Sequence, residues 1–242
     1  MSALAVFLIA VGIADICTRL THRRRFSVFA GPVTVAVFAA LAGLWHLGDI
    51  VLLSLAAAAS VAWVLLGTRT DRTGSHHGAP LTVFGVTVGV LMLLSGWTTP
   101  VGALVTRWLD WTGVDVEPAR ALMVIGVVLL QLVTGNNLVR LILGAVGAVR
   151  AEGQPQPSDR LKGGRLLGPM ERLLIVGLGL AGQIGAASAV VAAKGIIRFP
   201  ELSAQRKEDT ASTGIDEVTE YFLVGSFASW IVAMAGLALA WP

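Results

Sequence analysis

Residues Gly31 to Gly67 read GPVTVAVFAALAGLWHLGDIVLLSLAAAASVAWVLLG, and in these 37 residues the only ionisable side chains are His46 and Asp49. A single helix of that length would measure about 55 Å. The hydrocarbon layer of a bilayer is ~30 Å thick and takes about 20 residues to cross. The stretch is therefore too long for one crossing, and its two polar side chains sit together near the middle. Two spans, 31–46 and 50–67, joined by a turn at Trp45–Asp49, place those side chains at a membrane surface. Each arm is short, so a re-entrant element is the alternative, and it would change the side on which everything after it lies.

The same pattern extends outward. Further apolar runs cover Ala3 to about Cys17, Leu81 to about Thr98, Ala119 to Val149, about 170–193 and about 218–241. They predict an all-α polytopic transmembrane bundle of about seven spans, within a range of six to eight. The N-terminal membrane half, 1–118, has about four spans and the C-terminal half, 119–242, about three. Asp15 and Arg19 are expected to snorkel at the end of the first span. The fifth run is interrupted at Thr134-Gly135-Asn136-Asn137, as one tilted helix or one broken by local unwinding.

Composition agrees. The chain is 55% hydrophobic and 14% charged, against about 25% charged for a soluble domain. The excess of basic residues falls in short runs between apolar stretches and lacks interleaved aromatics. That suits loops facing anionic lipid rather than nucleic acid. Cys17 is the only cysteine, which excludes an intrachain disulfide, and no cofactor or metal set is expected from four histidines and one cysteine. Arg23, Arg24 and Arg25 follow the first apolar run instead of preceding it, as expected of an uncleaved span with an outside N-terminus. With seven spans the inner loops hold 11 Lys and Arg and the outer loops 6, which puts the C-terminus inside. Trp97, Trp108 and Trp111 mark an interfacial stretch after the fourth span.

Within the membrane, ionisable and strongly polar side chains are the candidates for function. They are Asn136, Asn137 and Arg140 on span five, Glu171 and Arg172 opening span six, Lys194 and Arg198 at its far end, and Glu220 opening span seven. Glu171 and Lys194 are 23 residues apart, about 35 Å along a helix, and cannot meet; Lys194 with Glu220, and Arg140 with Glu171, are the expected pairs. Gly177, Gly179 and Gly182 fit GxGxxG, but without the strand–turn–helix context of a dinucleotide site. The packing reading is stronger: Gly177, Ala181, Gly185, Ala189 and Ala193 recur every fourth residue as one small-residue face. Gly225, Ser229 and Ala233 form a similar face, so spans six and seven are expected to pack as an antiparallel pair. Gly85 and Gly89 offer a third contact of this kind. His46 with Asp49, and His76 with His77, read as turn and loop residues before they read as metal ligands.

Three segments carry a resemblance: GNNLVRLIL at Gly135–Leu143, GRLLGPMERLLIVGL at Gly164–Leu178, and AAKGIIRF followed by EYFLVGSFASW. Over roughly 130–235 the chain resembles a family of uncharacterised bacterial integral membrane proteins, a domain of unknown function. The resemblance singles out Asn137, Arg140, Glu171, Arg172, Lys194, Arg198, Phe199, Glu220, Tyr221 and Gly225, and implies no activity. A histidine before the first aspartate and a later Asp-Gln-x-x-His segment of that family are absent here.

The expected function is that of a non-enzymatic membrane component: a scaffold, a partner-binding subunit or an effector. Its partners would be the lipid bilayer and a second copy or another membrane protein, with no nucleic acid. A small transporter or channel with a polar site near Asn137 and Arg140 is the rival. A membrane-embedded enzyme using Glu171 or Glu220 is third, without a visible nucleophile.

Overall fold

A computed structural model describes residues 1–21, 24–148, 164–208 and 213–241; the side chains of 24, 25, 103, 164–166, 197–208 and 213–218 are outside that description. The described residues are helical, with no strand among them. In chain order the helices are α1 (Ser2–Thr21), α2 (Arg24–Ala42), α3 (Leu47–Thr73), α4 (Gly78–Leu93), α5 (Ala103–Thr112), α6 (Pro118–Leu129), α7 (Gly135–Ala145), α8 (Gly164–Leu180), α9 (Ile184–Glu208) and α10 (Thr213–Ala240). A 3-10 turn, Ser95–Trp97, precedes α5, and a π-helical turn, Leu130–Thr134, joins α6 to α7. Four helical stretches are long and apolar enough to cross a membrane: Ser2–Thr21, Leu47–Thr73, Pro118–Ala145 and Thr219–Ala240. Phe26–Ala42, Gly78–Leu93 and Ile184–Ile196 are shorter and also apolar. The chain is thus all-α and built for a bilayer.

Two compact units form, one from residues 1–69 with 79–134, the other from 70–78 with 135–241. In the first, α1 is the core: Ala3 through Val11 and Ala14 are essentially inaccessible. A helix apolar on every side suits enclosure by other helices. Phe84 of α4 packs on both Phe7 and Trp63, with ring centroids 5.7 and 5.3 Å away. Alongside, α6 runs parallel to α1. A Cβ on Gly126 would lie 3.0 Å from the Ala5 carbonyl and the Leu8 Cβ, and one on Gly12 would lie 2.8 Å from the Leu129 Cβ. Farther along, the Arg19 guanidinium donates to the Val133 carbonyl at 3.2 Å. Missing side chains at these glycines let two backbones approach closely. Asp15 does not snorkel, because α1 continues to Thr21 and the carboxylate is buried, accepting a 3.1 Å hydrogen bond from the Trp63 indole.

The expected hairpin at 31–67 is present, with α2 ending at Ala42 and α3 starting at Leu47. Gly43, at φ +66°, takes the left-handed conformation that closes a helix, and the Leu44 N–H returns to the Ala39 carbonyl. His46 and Asp49 are cap residues. Asp49 Oδ2 accepts from the His46 N–H at 3.3 Å, and Oδ1 accepts from the Thr99 N–H at 2.9 Å. The carboxylate is fully buried in this role, which ties the α2–α3 connection to the segment after α4. The interruption anticipated at Thr134–Asn137 is the π-helical turn one turn earlier, and the helix continues through Asn136 and Asn137.

The largest departure from the sequence reading lies in the second unit. The run 170–193 is not one span. It breaks at Ala181–Gln183 into α8 and α9. The Gln183 N–H bonds the Leu178 carbonyl at 2.8 Å, the Gly182 N–H bonds the Gly179 carbonyl at 2.9 Å, and Gly182 has φ +75°. This pair of bonds is the Schellman termination. The Ala187 N–H then bonds the Gln183 carbonyl, so α9 starts at once. The glycines of the GxGxxG match therefore end a helix, and Gly177, Ala181, Gly185, Ala189 and Ala193 do not share a face. Replacing Gly182 by Ala imposes the left-handed conformation on an L-residue, at about 1–2 kcal/mol. Unfolding in detergent should show that loss for Gly182→Ala and a smaller one for Gly182→Asn, which enters this region more readily.

Candidate functional site

The hairpin sets up the site. Glu171 precedes Gly182 by nearly the same number of residues as Lys194 follows it, so folding the chain there brings the two level. Lys194 Nζ lies 2.6 Å from Glu171 Oε2, correcting the expectation that they cannot touch. The other carboxylate oxygen, Oε1, accepts a 2.8 Å hydrogen bond from the Trp230 indole of α10. The Lys194 ammonium also stands 5.9 Å from the Trp230 ring centre, within cation–π range. Glu171 is buried and Lys194 nearly so, and both halves of this charge pair are satisfied by protein groups.

Arg172 comes next in sequence and, about 100° further around α8, faces elsewhere. It is the largest fully buried side chain among the described residues, 1% exposed. One Nη donates to Asn136 Oδ1 of α7 at 2.7 Å, and the other donates to Ser229 Oγ of α10 at 3.1 Å. Room for the guanidinium comes from Gly135: a Cβ there would lie 2.8 Å from Arg172 Nε and 3.0 Å from its Cζ. A fully buried charge is tolerated only when hydrogen-bonded, and α7 and α10 supply acceptors.

Contacts along the unit order its helices. Besides the bonds from Glu171 and Arg172 to Trp230 and Ser229, a Cβ on Gly179 would run into Leu237. So α8 and α10 run parallel, not as the antiparallel pair expected of spans six and seven. Gly225 approaches Leu143 of α7, 3.5 Å from the position of its Cβ, an ordinary packing contact.

The remaining expected residues divide. Arg140 pairs with Asp71 of the 70–78 segment rather than with Glu171. Nearby, the His77 ring lies over Gly144, where a Cβ would strike it. Asn137 is half-buried on α7, and Glu220 is exposed on α10 and apart from Lys194. The side chain of Arg198 lies outside the described residues, as does that of Phe199. Sequence reasoning missed Gly135, Trp230 and Asp71. Trp230 was legible as an apolar-run indole needing an acceptor; Gly135 was read as a helix break and is a cradle. Among the described residues no three His, Cys, Asp or Glu side chains are placed to hold a metal ion. No family model, no curated protein and no solved structure matches the chain, so this arrangement is read from its own residues.

Proposed function

We propose that the protein is a multi-pass component of the cytoplasmic membrane that acts as a non-enzymatic, partner-binding scaffold. One observation carries the reading: each charged group of the buried cluster ends on a side chain of another helix. Glu171 is bonded to α9 and α10 and Arg172 to α7 and α10; outside the buried cluster, the half-exposed Arg140 pairs with Asp71. Such bonds fix helices in place. Gly177 and Gly185, by contrast, have no described residue of another element within 4 Å of an added Cβ, which leaves these positions open to a partner. On this reading Gly185→Leu leaves folding intact and breaks assembly, visible as a shift to smaller species in native detergent.

The accessibility of Ser229 tests the reading directly. In a Cys17→Ala background, Ser229→Cys is expected to resist a membrane-impermeant maleimide until the protein is unfolded. Rapid labelling of the folded protein would mean a wet cavity and would favour the second reading, a small transporter or channel with its polar site near Asn136, Asn137 and Arg140. The π-helical turn directly before Gly135 favours that second reading, because such turns recur at functional sites.

The hairpin also revises the proposed topology. Whether α8 and α9 both cross or both turn back, they contribute an even number of crossings where one was counted. The count becomes six or eight, and the termini share a side. With the N-terminus outside, Arg198, Arg206 and Lys207 move to the inner connections and the outer ones keep Arg107 and Arg120. This is a stronger positive-inside bias than seven spans give. Reporter fusions at both termini should therefore give the same, external signal.

A further inference from the structure

At one end of the first unit, two connections are bonded together. The Gly102 N–H donates to the Ala42 carbonyl at 2.7 Å, and Asp49 accepts from the Thr99 N–H at 2.9 Å. This joins the 43–49 turn to the segment 94–102, which leads into α5. The same end carries Trp45, Trp97, Trp108 and Trp111, all exposed, with Leu47 and Leu104 beside them in the sequence and exposed too. Trp63 and Trp230 behave differently: each is in a helix interior and gives its indole N–H to a buried carboxylate. None of these four exposed tryptophans lies inside one of the long apolar helices.

The helix α5 has the sequence ALVTRWLDWT. Its ten residues exceed two turns, and α2 and α6 pack on it. Leu109 is buried, and Val105, one turn earlier, is half-buried. At helical spacing Leu104, Trp108 and Trp111 fall together on the adjoining flank, while Thr106, Arg107 and Asp110 take the other side. So the apolar arc of α5 is wider than the part that the protein covers. The uncovered part is aromatic, and α2 and α3 also expose apolar residues, Val37, Leu41, Val51 and Leu55.

We propose that this end is the unit's lipid-headgroup boundary. On this proposal α5 lies in the plane of the membrane surface, with Leu104, Trp108 and Trp111 at the junction of headgroups and acyl chains. Indole rings settle there because they pair an apolar body with a polar N–H, and a short helix with an apolar flank and a polar flank lies in that layer. Asp110, Asp115 and Glu117 outnumber Arg107 and Arg120 in this region, so the anchoring depends on the rings and not on anionic lipid. The proposal rests on the membrane reading of the chain and is independent of the scaffold reading.

Spin labels on single cysteines test it, in the full-length Cys17→Ala protein reconstituted in phosphatidylcholine vesicles. Collision rates with oxygen, which partitions into lipid, are compared with those of a water-soluble nickel chelate at positions 55, 104, 106, 107, 108, 110 and 111. Position 55 is expected deep in lipid. Positions 104, 108 and 111 should read shallow but lipid-exposed, and 106, 107 and 110 chelate-exposed, with the same pattern when anionic lipid is added. If 55 is in lipid and all six positions of α5 are equally open to the chelate, α5 lies in water and the proposal is overturned. Protection of 104, 108 and 111 from both reagents would overturn it too, by showing that a protein surface covers them. A position 55 open to the chelate would overturn the membrane reading itself.

Discussion

Glu171→Gln is expected to cost the protein about 3 kcal/mol, and the double variant Glu171→Gln with Lys194→Met is expected to be the more stable of the two. Removing one partner of a buried ion pair strands the other charge at about 3–5 kcal/mol, whereas replacing both by neutral groups is often harmless. The 2.6 Å approach of Lys194 to Glu171 and the burial of both side chains put this pair in that class. Gln keeps an acceptor for the Trp230 indole, so the single substitution isolates the charge. Reversible unfolding in mixed detergent, followed by circular dichroism, measures the four corners of the cycle. Purely additive losses would mean that the two residues do not act as a pair. If the protein transports a solute through this region, the double variant should be stable but inactive; a scaffold should be stable and still assemble.

Gly135→Ala is the second large effect, and the less obvious one, because Ala normally strengthens a helix by up to about 1 kcal/mol over Gly. Here the new methyl would stand 2.8 Å from Arg172 Nε. The guanidinium is fully buried and has no free direction in which to yield. It must give up its geometry toward Asn136 or Ser229, and hydrogen bonds to charged groups contribute about 1.5–3 kcal/mol each. A net loss of about 2 kcal/mol is expected for Gly135→Ala. Gly177→Ala, whose Cβ meets nothing, is expected to be neutral or slightly stabilising. A thermal-melt comparison of the two in one detergent decides it: equal melting temperatures would remove Gly135 from the role of cradle.

Much of the site list was legible because a bilayer makes polar side chains expensive. Glu171, Arg172, Lys194, Asn136 and Arg140 are conspicuous in apolar runs, and all five are hydrogen-bonded or ion-paired to another element. Their pairing was not legible. The prohibition on Glu171 meeting Lys194 assumed a continuous helix, and a single left-handed glycine removes that assumption. A signal did exist, since Gly182-Gln183 sets the run's one amide side chain beside a glycine, midway between Glu171 and Lys194. Local sequence suggests two meanings for those glycines, a dinucleotide loop and a packing stripe, and the structure uses Gly182 for a third, a helix stop. Asp49 was likewise conspicuous, but its task as a cap depends on Thr99, fifty residues away.

The sequence by itself determined the class of the protein and its solvent. Long runs without charge can be stabilised only as helices in a bilayer, since lipid offers no partner for an open backbone, and the length of 31–67 with its central polar pair calls for a turn near Trp45–Asp49. Which charges meet, which glycines admit a neighbour and where α8 reverses were decided by the tertiary structure. These depend on whether two distant segments arrive at the same level of the bundle. Helix periodicity fixes which way a side chain faces, and only packing fixes what stands opposite it.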